Sequence, residues 1–126
     1  MTVTPGNEIE FSDLPGRSSG DPLGNVHAQS SLRIARPERT HSRLAHRHPH
    51  SEEIIYVRHG RGAVFIDGAF YRIEPGATVH VPAGAAHATV PDIDEDMELV
   101  CFFPHPELAE NIEETKIDVM KEIQDG

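Results

Sequence analysis

Tryptophan is absent from this 126-residue chain, cysteine occurs once, at Cys101, and no run of eighteen apolar residues appears. The missing apolar run excludes a membrane-spanning helix. One cysteine cannot close an internal disulfide, and its isolation suits a reducing compartment. The opening stretch, Met1 to Glu8, shows no basic segment followed by an apolar one, so no secretory leader is read there. Together these absences predict a soluble, cytoplasmic protein. Basic residues are also scarce, with 11 Lys and Arg against 21 Asp and Glu and a net charge of −10. A basic footprint, a helix-turn-helix pattern and zinc-finger spacing are all missing, which excludes nucleic-acid binding.

The acidic excess is local. Residues 1–91 balance nine basic side chains with nine acidic ones, whereas residues 92–126 hold twelve acids and two lysines, Lys116 and Lys121. Unpaired charges stay in water, so this end reads as a solvated face.

What the chain has is a succession of short, β-branched segments divided by turn residues. Ile54 to Arg58, Ala63 to Ile66, Ala69 to Ile73, Thr78 to Val81, Ala86 to Val90 and Met97 to Phe103 each read as strands. Asp67-Gly68 between two of them is a hairpin signal. Many short strands with Gly and Pro turns predict an all-β sandwich or barrel in one domain. Residues 1–29 are rich in Gly, Pro and Ser and read as an extended N-terminal arm, packed on another subunit or along the barrel exterior. Residues 30–104 form the expected barrel. Residues 105–126 form the expected acidic tail, partly helical through the spacing of Leu108, Ile112, Thr115, Val119 and Ile123.

Five of the nine histidines, at 41, 46, 48, 50 and 59, fall within nineteen residues. Two strand residues two apart share a face, so His46 and His48 aim together. Glu53 is an odd number of residues from His48, and the break at Pro49 is what returns it to the same side. Glu52 then faces the other way. His87 follows the turn Pro82-Ala-Gly84 and reaches in from another strand. Three imidazoles and a carboxylate suit a divalent first-row metal with positions left for water or substrate.

The spacing resembles the cupin superfamily. Its first motif, G(x)5HxH(x)3–4E(x)6G, is matched from His46 through His48 and Glu53 to Gly60, and its second, G(x)5PxG(x)2H(x)3N, from Gly76 through Pro82 and Gly84 to His87. Thr40 stands where the leading glycine is usual and Pro91 where the closing asparagine is usual. The resemblance implies a jelly-roll-like β-barrel and His46, His48, Glu53 and His87 as ligands of one divalent transition metal per chain (Mn, Fe, Ni, Co, Cu or Zn). It also implies a homodimer. The expected activity is a metal-dependent enzyme of isomerase, lyase or cyclase type on a small oxygenated molecule. A metal-dependent dioxygenase and a non-catalytic small-molecule sensor are the alternatives. Glu53 and His50 are the candidate proton carriers, and Tyr56, Tyr71, Arg72, Cys101 and His105 the candidate substrate contacts. Arg58 and His80 are weaker candidates for the same contact. Cys101 sits in an apolar strand, where a buried and inert thiol is the simpler expectation.

Overall fold

The computed structural model describes residues 2–125. Eleven strands are present among them: β1 (Phe11–Leu14), β2 (Arg17–Gly20), β3 (Ser31–Pro37), β4 (Leu44–Arg47), β5 (Glu53–His59), β6 (Gly62–Ile66), β7 (Ala69–Ile73), β8 (Thr78–Val81), β9 (His87–Pro91), β10 (Glu98–Phe103) and β11 (Glu113–Asp118). One short helix, α1 (Val119–Asp125), ends the described chain. The strands form two antiparallel sheets, ordered β1-β2-β3-β10-β5-β8 and β11-β4-β9-β6-β7. Two facing sheets with these crossovers make a jelly-roll arrangement.

Local chemistry explains the turns. Asp67 (φ 44°) and Gly68 (φ 91°) both adopt the left-handed region that a two-residue hairpin loop needs, so β6 and β7 pair from Ile66↔Ala69 outward. Gly60 is also left-handed (φ 82°), and a Cβ there would lie 2.0 Å from the Asp96 carbonyl oxygen. Only glycine fits both demands.

Alternation sets the layers. Glu53, Ile55 and Val57 of β5 point inward while Tyr56 and Arg58 point out. In β10, Leu99, Cys101 and Phe103 are buried, and Phe102 is exposed. The space between the sheets is filled by Ile55, Val57, Val64, Ile73, Val79, Val81, Met97, Leu99 and Phe103. β9 is buried on both faces because α1 covers its outer side, where Ala45, Phe65, Ala88 and Val90 meet Val119 and Met120. A fully buried apolar side chain of this size contributes roughly 1.5–3 kcal/mol.

Both ends of the chain differ from their sequence-based expectation. Within the predicted arm, residues 11–20 form a hairpin whose second strand, β2, pairs with β3 and extends the larger sheet. The turn Pro15-Gly16, with Gly16 left-handed at φ 77°, is the local cause. The predicted tail helix begins only at Val119. Thr115 and Ile117 alternate with exposed Glu114 and Lys116, and this two-residue period makes β11 a partner of β4. The Thr115 hydroxyl donates to the Ala45 carbonyl at 2.7 Å and holds that pairing.

Candidate metal centre

The break predicted at Pro49 is present: β4 ends at Arg47, a turn follows, and β5 opens on Glu53. His46 pairs directly with His87 across the β4–β9 ladder, which puts the two side chains side by side on the inner face. Glu53 approaches from the opposite sheet. His48 completes the set from the end of β4. Ring centroids lie 5.0 Å apart for His46 and His48, 4.5 Å for His46 and His87, and 5.0 Å for His48 and His87. One ligand atom from each of the four residues lies within 4.8 Å of all the others.

The two motifs are tied to each other by their backbones. The Gly84 N–H donates to the His48 carbonyl at 2.9 Å, so the turn that aims His87 is fixed against the strand end that aims His48. Two of the three imidazoles are then fixed in tautomer. His48 Nδ1–H donates to the Asn111 carbonyl at 2.7 Å, and His87 Nδ1–H donates to the Ala85 carbonyl at 2.9 Å. A carbonyl only accepts, so Nδ1 carries the proton and the Nε2 lone pair of each ring faces the centre.

This arrangement calls for a cation. The Nε2 atom of His87 lies 2.7 Å from Glu53 Oε1, and that of His48 lies 3.3 Å from the same oxygen. His48 Nε2 is fully buried and has no hydrogen-bond partner, since the 3.3 Å approach is poorly aimed. A proton shared between His87 and Glu53 satisfies that pair and leaves His48 orphaned. A single cation bound by all four residues satisfies every lone pair at once. The donor set of nitrogen and carboxylate oxygen fits a first-row transition metal.

The charges agree. Burial pushes the Glu53 carboxyl upward, but the His48 and His87 imidazoles outweigh burial and hold it well below the usual carboxylate range. His46 is driven well below its ordinary value by burial and by the neighbouring His87, so its ring is neutral. Neutral imidazole and ionised carboxylate are the forms a metal binds.

The quartet opens into a cavity of about 270 Å³. Ile55, Leu99 and Phe103 form its apolar walls, and Arg17, Arg33 and Arg43 also line it. Cys101 is on the wall too, and burial followed by the Glu53 charge holds its thiol protonated.

Other predicted contacts lie elsewhere. His50 is exposed because the Pro49 turn swings it outward, where it stacks on His105 at 5.8 Å. Neither ring lines the cavity. Tyr56 and Tyr71 are exposed outward-facing strand residues. Arg72, also exposed, makes a bidentate pair with Asp92 at 2.7 Å. Arg58 pairs with Glu98, and His80 with Glu52, both on the surface. Parity accounts for Tyr56 and Arg58, outward on β5 where Glu53 and Ile55 face the site, and for His80, outward on β8. Tyr71 and Arg72, by contrast, are neighbours on the edge strand β7, which contributes no residue to the cavity.

The sequence reading missed three cavity residues and one support. Arg17 and Arg43 had no motif to mark them. Asn111 is completely buried in the acidic end segment. Its Oδ1 accepts from the His50 N–H at 2.7 Å and its Nδ2 donates to Ser51 Oγ at 2.8 Å, so it braces the turn between His48 and Glu53. Nothing near it in sequence signals that contact. Arg33 was likewise unmarked.

The cupin domain family profile matches residues 34–103. A Methanocaldococcus jannaschii protein, MJ1618, is 36% identical over 44 residues, and that match spans only 35% of either chain. Among solved structures, a Streptomyces Pac13 variant with uridine superposes with a TM-score of 0.76 at 16% identity over 97% of each chain. Pac13 is a nucleoside dehydratase. An RmlC-like cupin from Shewanella frigidimarina gives 0.70 at 21% identity over 87% of this chain and 95% of its own. The oxalate decarboxylase of Lactobacillus farciminis gives 0.71 at 19% identity over 86% of this chain and 34% of its own.

Proposed function

The chain belongs to the cupin domain family, and from that premise we propose that it is a metal-dependent enzyme of lyase, isomerase or cyclase type. It binds one divalent transition metal on His46, His48, Glu53 and His87 and acts on a small oxygenated molecule. The observation that carries this reading is the orphaned, buried His48 Nε2 beside the Glu53 carboxylate, on the wall of the cavity. What such an ion supplies when bound is Lewis-acid stabilisation of an oxyanion or enolate.

The residues do the rest. Asn111 and the Ala85 carbonyl keep His48 and His87 in the tautomer that leaves Nε2 free. Ile55, Leu99 and Phe103 exclude water from the carbon body of a ligand, which strengthens every charge interaction inside. Glu53 is the one carboxylate on the cavity wall among the described residues, and it stays ionised in the neutral range. It is a weak base, so it would take only a strongly acidified proton from the ligand. Two similar folds, a dehydratase and a decarboxylase, support lyase-type chemistry on this scaffold.

Incubation of the metal-loaded protein in D2O with a panel of small hydroxy- and keto-carboxylates and sugar acids tests the proposal. Proton NMR is expected to show exchange next to a carbonyl or loss of water. That signal should vanish on chelation and in Glu53→Gln. Saturable binding without exchange or turnover of any panel member would instead support a binding protein. Oxygen consumption with substrate would support a dioxygenase.

The homodimer belongs to the same proposal. Leu32, Ile34, Ile54, Tyr56, Val100 and Phe102 stand in register on the outer face of the larger sheet. Tyr56 and Phe102 are 47% and 41% exposed, an apolar patch suited to a second copy. Light scattering should give a mass of two chains, and a mass of one chain overturns it.

A further inference from the structure

Two arginines on the cavity wall carry charges that the protein does not neutralise. Arg17 opens β2 and Arg43 immediately precedes β4, and both line the cavity beside the quartet. Arg43 is only 6% exposed. Its Nη1 donates to the Pro15 carbonyl at 3.0 Å, while its Nε–H is fully buried and has no partner among the described residues. Arg17 reaches the same carbonyl at 3.4 Å. Among the described residues neither guanidinium has a carboxylate partner within 4.0 Å, whereas Arg33, on the same wall, is paired with Asp21 at 3.1 Å. Of the acids near Arg17, Glu53 belongs to the quartet and Glu114 is an exposed residue of β11, beside a second recess that Arg17 and Arg43 also line.

The hairpin turn is shaped to this pair. Gly16 is left-handed (φ 77°), which favours glycine, and a Cβ there would lie 2.2 Å from Arg43 Nη1, so a larger residue would displace the guanidinium. The cost of the pair is visible in its electrostatics. Burial, followed by the like charge of Arg17, pulls Arg43 down to about 10, which still leaves it charged at neutral pH. A buried cation beside a half-buried one of like charge costs stability that a bound anion would offset. A guanidinium fork with a free N–H edge matches a carboxylate or phosphate bidentately.

We propose that Arg17 and Arg43 clamp the anionic end of the ligand, a carboxylate or phosphate, while its other end reaches the quartet across the apolar strip of Ile55, Leu99 and Phe103. The proposal rests on the reading of this cavity as the substrate site and narrows its substrate class. The ligand is a small molecule with a short carbon body, an oxygen donor at one end and an anion at the other. A cavity of about 270 Å³ suits a molecule below drug size.

Titration calorimetry of the full chain at low salt, with metal content measured in each sample, tests this. The probes are inorganic phosphate and butanoate, against wild type, Arg17→Gln, Arg43→Lys and the surface variant Arg72→Gln, whose arginine lies away from the cavity. Binding should weaken about tenfold or more in the first two variants and stay within about twofold in the third. Arg43→Lys keeps a buried charge but loses the fork, and Arg17→Gln alone decides the matter if Arg43→Lys does not fold. A response to phosphate alone identifies a phosphoryl end, and to butanoate alone a carboxylate end. Equal affinity in wild type and both clamp variants, or no saturable binding of either probe, overturns the clamp. Absent metal with the arginine effect intact contradicts the metal reading and leaves the clamp standing.

Discussion

One inter-sheet space serves two purposes, and its halves differ in kind. In the half away from the cavity, Val57, Val64, Ile73, Val79, Val81 and Met97 pack against one another with no titratable group among them. In the other half the same inward strand positions carry His46, His48, Glu53 and His87, with Arg17 and Arg43 on the adjoining wall. The backbone pattern is the same antiparallel ladder in both. Apolar burial in the first half stabilises the fold, whereas the second half keeps an unpaired imidazole nitrogen and unneutralised guanidinium groups that cost stability unless a ligand answers them. The difference teaches that stability and chemistry here are separable along one barrel interior.

Substitutions can break that separation, and the largest effect is expected in the dry half. Ile73→Ala should lower folding stability by about 2–5 kcal/mol in a denaturant melt, with metal content per folded chain unchanged. A loss of metal alongside stability would show that the halves are coupled. In the wet half, added metal at a hundredfold excess over its Kd should stabilise wild type by about 2.7 kcal/mol, and His87→Ala should gain nothing. Equal thermal shifts in the two would place the metal elsewhere.

The Asn111 brace of the turn between His48 and Glu53 should show an intermediate effect on stability and on metal affinity. Asn111→Ala leaves the His50 N–H without its acceptor and removes the donor to Ser51 Oγ, which keeps its own bond to the Glu52 carbonyl, at about 1–3 kcal/mol of stability. Metal affinity should fall roughly tenfold as His48 loosens. The smallest effect lies outside both halves. Asp118 accepts from the Arg43 and Met120 N–H groups and the Ser42 hydroxyl, capping α1. Asp118→Ala should cost about 1 kcal/mol. The hydrogen bonds from Arg43, Ser42 and Met120 hold its carboxyl below the ordinary value of 3.8. Its contribution is therefore fully present above that value and lost as pH falls through the lower, folded one. Asp118→Asn should show no such loss below pH 3.8 in a comparison of acid melts.

Much of this was legible in the residues, and the limits are physical. The alternation of β5, the Asp67-Gly68 hairpin and the odd spacing across Pro49 are local signals, and they placed Glu53 in the quartet and Glu52 on the surface. The hairpin of residues 11–20 was not legible, because its strands are polar and half-exposed and are held by pairing with the distant β3. Asn111, Arg17 and Arg43 reach the site from segments remote in sequence, with no periodicity to announce them. His50 shares the parity of His46 and His48, yet the turn that parity reasoning itself invoked carries it outward.

The central claim is that His46, His48, Glu53 and His87 hold one divalent metal. Metal analysis of protein made without a histidine tag and reconstituted with Mn, Fe, Co, Ni, Cu or Zn tests it most directly. The account predicts about one equivalent per chain in wild type and less than about a tenth in His87→Ala and Glu53→Gln. Wild-type protein that retains below about 0.2 equivalents of every metal offered, or variants that load as fully as wild type, would contradict it.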